Sequence, residues 1–178
     1  MGSIYRRIFD FETNWQGFNK RPFSKNDLIG LAEQNDIIVL EDHSVAAACT
    51  FHYNDQNFIL HNPYQPDIDF ILSIGHELGH LGLGHVDPHG DPLHANFYSS
   101  SGIEKDAGIV AFLFWAPTTD LYRMEINGRL NIEEIYNDCR DNRYGDIDGA
   151  DLERVCNSRL RIYNALKRTK RDHRHLRC

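Results

Sequence analysis

Residues 76 to 80 read His76-Glu77-Leu78-Gly79-His80. On a helix, positions four apart lie about 40° apart round the axis, so His76 and His80 share a face and can both turn a ring nitrogen to one ion. Glu77 stands beside them, free to carry protons. These residue types suit metal-assisted hydrolysis, in which a zinc ion polarises a carbonyl and lowers the pKa of water while a carboxylate moves the proton. In a chain with ten His, a chance match to the pattern has a probability of about three per cent. Its neighbours must therefore carry part of the reading.

Upstream, Asp67 or Asp69 is placed to cap a helix starting near Phe70. Ile71, Ile74, Leu78 and Leu81 then form an apolar stripe, with the histidines on the other side. Gly75 and Gly79 lie inside this helix, each costing up to about 1 kcal/mol relative to Ala, and imply the close approach of another element. Gly82 and Gly84 end it. Residues 86–101, rich in His, Asp, Pro, Gly and Ser, read as a loop long enough to be a lid or a substrate rim. The next helix is expected over residues 103–116, stopped by Pro117. Glu104, Ala107, Gly108 and Ala111 share one of its faces, a carboxylate above three small residues, and the expected partner of that face is the glycine side of the His76 helix.

A catalytic zinc needs a third protein ligand and one open position. Glu104, on the separate helix, is the preferred candidate. His85 lies about 140° round a continuing helix from His80 and can reach the ion only if the chain turns at Gly82; Asp106 is a possible substitute for Glu104. His89, His94 and Tyr98 in the loop are candidates for stabilising an oxyanion, although surface histidines and a packed tyrosine are the commoner state. Cys139 and Cys156 read as inert buried thiols rather than nucleophiles.

Around this centre the expected fold is α+β: a small antiparallel sheet, a metal-binding helix pair and a C-terminal helical segment. Residues 1–24 show no clear period and read as a lead-in. Ser24, with Asp27 three residues on, begins a helix carrying Leu28, Leu31 and Ala32 on one face. A strand at 37–40 follows, and residues 45–53 and 58–61 flank 54–57 as a hairpin. The core is expected to span 25–118 and the C-terminal segment 119–166, with helices at 132–140 and about 150–166. Residues 141–149 between them superficially resemble a calcium loop, but Asp146, Asp148 and Ala150 fail its register, and an ordinary turn is expected.

Composition limits the classes of function. The net charge of −7 hides an asymmetry: residues 167–178 carry six Lys or Arg against one Asp, while the remainder is strongly acidic. An acidic body argues against direct nucleic-acid binding, and the basic tail reads as a solvated end or a contact for an acidic partner. No apolar run nears the ~20 residues a membrane span needs, and no signal-peptide core precedes the body. Four scattered cysteines without a C-x-x-C pair favour a reducing cytosol over a disulfide framework or a zinc ribbon.

Two segments taken together, His76-Glu77-Leu78-Gly79-His80 and Glu104-Lys105-Asp106-Ala107-Gly108-Ile109-Val110-Ala111-Phe112-Leu113-Phe114-Trp115-Ala116-Pro117, resemble the ImmA/IrrE family of small gluzincin peptidases. That family's second motif runs Glu-x-x-Ala-Asn-x-Phe-Ala and closes on Leu-Leu-Met-Pro. The order of elements is similar over roughly residues 25–165. The resemblance implies His76, His80 and Glu104 as zinc ligands and Glu77 as general base. It further implies a cytoplasmic zinc endopeptidase acting on a protein substrate, a helix-turn-helix transcriptional repressor. Gly108, Val110 and Trp115-Ala116 depart from the family pattern; none removes a ligand, but Gly108 lacks the side chain that would hydrogen-bond the site. The competing reading is a non-catalytic zinc-containing module that sequesters a regulatory partner, for which Glu77 would have no use.

Overall fold

A computed structural model describes residues 4–87, 93–94, 102–139 and 149–175. In chain order they form α1 (Ile4–Asn14), α2 (Lys25–Gln34), β1 (Ile37–Glu41), β2 (Ala48–Tyr53), β3 (Gln56–His61) and α3 (Asp67–Leu83). After these come β4 (Leu93–His94), α4 (Gly102–Trp115), α5 (Thr118–Ile126), α6 (Ile132–Cys139) and α7 (Gly149–His175). Two compact units result, one of residues 22–115 and one of residues 1–21 with 116–178. No described helix is long and apolar enough to cross a membrane.

In the unit 22–115, α2 starts where its sequence says it should. Ser24 Oγ accepts the Asp27 N–H at 3.2 Å, and Asp27 Oδ2 accepts the Ser24 N–H at 2.9 Å, so two otherwise unpaired donors are satisfied reciprocally. Leu28, Leu31 and Ala32 are its buried face. The hairpin that follows is tighter than expected. Asn54 and Asp55 take φ of 49° and 60°, and Tyr53 pairs with Gln56. A two-residue turn with both centres left-handed matches strand twist, and Asn and Asp tolerate that conformation.

The fold is the mixed α+β type expected, but its sheet is not wholly antiparallel. Its order is β1-β3-β2-β4, and β1 runs parallel to β3. The reversal at residues 42–47 sets β1 and β2 in opposite directions, and insertion of the antiparallel β3 between them makes it parallel to β1. Asp42 N–H donates to His61 O and Asn62 N–H to Ala47 O, each at 2.9 Å, so this segment straps the end of β3. Six linking residues reach up to about 20 Å, twice the ~10 Å across two strand spacings. β3 and β2 take the two inner positions of the sheet, and Ile59 of β3 is fully buried.

Helices α2 and α3 lie against this sheet, and α4 packs on α3. α3 begins three residues earlier than a Phe70 start, with Asp67 and Asp69 inside its first turn and Pro66 at the cap position. A capping carboxylate is not used; Pro66 instead supplies a fixed φ and the carbonyl that accepts the Phe70 N–H at 3.0 Å. Ile71, Ile74 and Leu78 are buried as the stripe requires, while Leu81 is half-buried. The opposite side is buried too, because α4 covers it. A β-carbon on Gly75 would lie 3.0 Å from Phe114 Cδ2 and 3.2 Å from Ala111 Cα; one on Gly79 would lie 3.0 Å from both Cα and O of Ala107. Both glycines are therefore the places where the backbone of α4 meets α3.

The second unit departs most from expectation. Residues 1–24 are not an irregular lead-in: α1 buries Ile8 and Phe11, Phe11 stacks on Trp15 at 4.3 Å, and Phe18 meets both rings edge-on. An additional helix, α5, follows Pro117 directly. Its cap position is a proline without a side-chain acceptor, and Asn19 Oδ1 accepts the Thr118 N–H at 2.7 Å instead. The buried Arg159 of α7 donates Nε to Ala116 O and Nη2 to Thr118 Oγ1. α7 continues through His175, so most of the basic tail is helical rather than an extended end. Of the turn expected at 141–149, residues 141–148 lie outside the described residues, and Gly149 begins α7.

Gly30 and Gly79 give this packing a test with opposite signs. Nothing lies within 4 Å of a β-carbon on Gly30, so Gly30→Ala is expected to stabilise by up to about 1 kcal/mol through helix propensity. The same propensity gain at Gly79 is outweighed by overpacking against Ala107, which costs about 1–3 kcal/mol. Gly79→Ala is expected to lower the thermal midpoint; a rise in both variants would contradict the close helix contact.

Candidate metal centre

The close approach of α3 and α4 sets one carboxylate over two imidazoles. His76 and His80, one turn apart, bring their Nε2 atoms to 3.0 Å from each other. Glu104, in the first turn of α4, places Oε2 3.0 Å from His76 Nε2 and Oε1 3.4 Å from His80 Nε2. Donors bound to one ion at about 2.0–2.1 Å in a tetrahedral arrangement lie about 3.3–3.4 Å apart. The observed separations fit that spacing. Both histidines are fully buried and the Glu104 side chain keeps 12% exposure. His76, His80 and Glu104 can thus hold a metal ion, and they are the one such group among the described residues.

The electrostatics favour the same reading. Burial, then the neighbouring His80 and His85, push His76 down to about 3; burial, then His85, push His80 down to about 4. Both rings are therefore neutral lone-pair donors, the form a metal takes. Glu77 points the other way. Burial, and after it the charge of Glu104, hold its carboxyl well above the usual carboxylate range. It is fully buried, and neither carboxylate oxygen has a hydrogen-bond partner. A carboxylate in that state beside three converging donors fits a place where a cation and a water would compensate it.

Compared with family models, curated proteins and solved structures, the chain gives no match. The site is accordingly read from its own chemistry.

His85 does not join the ligand set. The chain leaves α3 two residues later than a turn at Gly82 would require: Gly84 takes φ 70°, Gly84 N–H donates to Leu81 O at 3.1 Å, and His85 N–H donates to His80 O at 2.9 Å. These two bonds define a Schellman ending, which folds the residue after the glycine back onto the one five positions earlier. His85 Nδ1 thereby lies 3.1 Å from His80 Nδ1, on the side of the ring away from Nε2. Spacing to His80 had raised His85 only as a ligand. The i, i+5 pairing across a terminal glycine was the available signal for its actual place.

Asp106 lies on α4 but outside the converging group. A β-carbon on Gly108 would stand 4.0 Å from His76 Nδ1, an ordinary contact, so the glycine is not required sterically. His89 and Tyr98 lie outside the described residues, and of His94 only its place in β4, paired with Cys49, is described. Cys156 is buried; the side chain of Cys139 lies outside the description. Cys49 is also buried, its thiol pushed up by burial and then by the charges of Glu77 and Asp42. It is held protonated, the form that does not ligate a metal.

The cost of Glu77 is measurable in the metal-free protein. A carboxyl raised above its unfolded value binds its proton more tightly when folded, so its contribution to stability falls as pH rises above the unfolded value of about 4.3. Glu77→Gln has no such charge to bury. After chelation, the variant is expected to melt above the wild type at pH 8, with the gap narrowing toward pH 5; the histidine contributions are common to both proteins. No gap, or one that widens on acidification, would contradict a destabilised Glu77.

Proposed function

We propose that this chain is a zinc-dependent endopeptidase cleaving a cytoplasmic regulatory protein, with a helix-turn-helix transcriptional repressor as the substrate class that the ImmA/IrrE resemblance implies. The observation that carries the catalytic part is Glu77, a fully buried carboxylate without a protein partner next to His76, His80 and Glu104. A donor set of two imidazoles and one carboxylate suits zinc, whereas calcium and magnesium take oxygen alone. Three protein ligands leave one position open, as in hydrolytic sites.

A zinc ion there would supply a Lewis acid for a carbonyl and lower the pKa of water. The chain's residues do the rest. Glu77, with no hydrogen bonds of its own to break, takes a proton from the attacking water and passes it to the leaving amine.

The complete burial of His76, Glu77 and His80 favours a second reading, a non-catalytic zinc-containing module that binds a regulatory partner stoichiometrically. One set of variants separates the two. The wild type is expected to carry one zinc per chain by elemental analysis, lost in His80→Ala and Glu104→Ala and kept in Glu77→Gln. Incubated with candidate repressors and followed by mass spectrometry, the wild type should cut the substrate at one or a few positions. Glu77→Gln should be slower by at least about 100-fold, the usual share of general-base catalysis. Binding without cleavage by a fully zinc-loaded wild type would establish the second reading.

A further inference from the structure

Within the zinc reading above, we propose that His85 is a positioning residue that fixes the tautomer and ring orientation of His80 by accepting a hydrogen bond from its Nδ1. The separation of 3.1 Å between His80 Nδ1 and His85 Nδ1 is within hydrogen-bonding distance, and one of the two nitrogens must carry the proton. His80 presents Nε2 to Glu104 and His76. If Nε2 gives its lone pair to a metal, the neutral ring keeps its proton on Nδ1. His80 is then the donor, and His85 must be the tautomer with its proton on Nε2 and a lone pair on Nδ1. A ligand histidine almost always has such a partner on its other nitrogen, which sets the ring's direction and raises its basicity.

The backbone delivers His85 to that position without depending on the metal. Gly84, at φ 70°, can take the left-handed turn that residues with a side chain resist. The two bonds of the Schellman ending, at 3.1 and 2.9 Å, then place His85 against His80. At such endings the corresponding contact is commonly apolar. A histidine at this point exchanges an apolar contact for a directional acceptor beside a metal-binding ring.

Two measurements on the full-length protein test this. In the zinc-loaded wild type, long-range proton–nitrogen NMR of the imidazoles should report His80 protonated at Nδ1 and His85 protonated at Nε2 only; a proton on His85 Nδ1 directed at His80 would overturn the proposal. This measurement needs no variant. Competition with a chromogenic chelator then gives zinc affinity. His85→Leu, which removes the acceptor, is expected to bind zinc about 10–100-fold more weakly than wild type. His85→Asn, whose Oδ1 can accept the same bond, should recover most of that loss, which a purely space-filling role would not produce. Wild-type affinity in His85→Leu, or equal losses in both variants, would overturn it. The zinc reading fails separately: in that case the wild type itself binds no zinc, or His80→Ala binds as well as wild type.

Discussion

Two helices touching through their backbones are the constraint on which the site depends. Gly75 and Gly79 remove the side chains that would hold α4 off α3, and Ala107 and Ala111 do the same from the other helix. At an ordinary helix spacing, Glu104 would hang too far from His76 and His80 to share a centre with them. Each interior glycine lowers helix propensity by about 1 kcal/mol, and that cost is recovered as contact only because the facing residues are also small. The spacing of three donor atoms is thus set by main-chain packing rather than by flexible side chains, which suits a centre that must be organised in advance.

The same packing creates the electrostatic tension of the site. Burying two imidazoles keeps them neutral and ready to ligate; burying Glu77 with them strands a carboxyl that would be more comfortable in water. A protein selected for stability alone would place a neutral residue at position 77. Glu77 is instead buried beside a cluster able to hold a cation, whose charge would offset that of the carboxylate.

Much of this was legible from residues alone, and the exceptions share a cause. The shared face of His76 and His80, the interior glycines and the small face of α4 are local patterns, and each took its expected place in three dimensions; so did the Ser24 and Asp27 cap. Features that depend on distant partners were hidden. α5 lacks a cap in its own sequence because its acceptor is Asn19, far away in the chain. The parallel pairing of β1 follows from a strap over β3, which no alternation of residues announces. α1 does carry a helical spacing at Ile4, Ile8, Phe11 and Trp15, but Tyr5 and Phe9 between them blur it. For His85 the sequence offered the right residue and the wrong geometry: a turn two residues later, at Gly84, places it against Nδ1 of His80, the nitrogen opposite the one that faces His76 and Glu104.

X-ray absorption at the zinc edge of the purified, zinc-loaded protein tests the ligand set most directly, because it reports donor types and distances without requiring a substrate. The expected spectrum contains two imidazole contributions, with nitrogen and oxygen donors at about 2.0–2.2 Å and no sulfur. A sulfur shell near 2.3 Å, or a third imidazole in place of the carboxylate, would contradict a centre built from His76, His80 and Glu104.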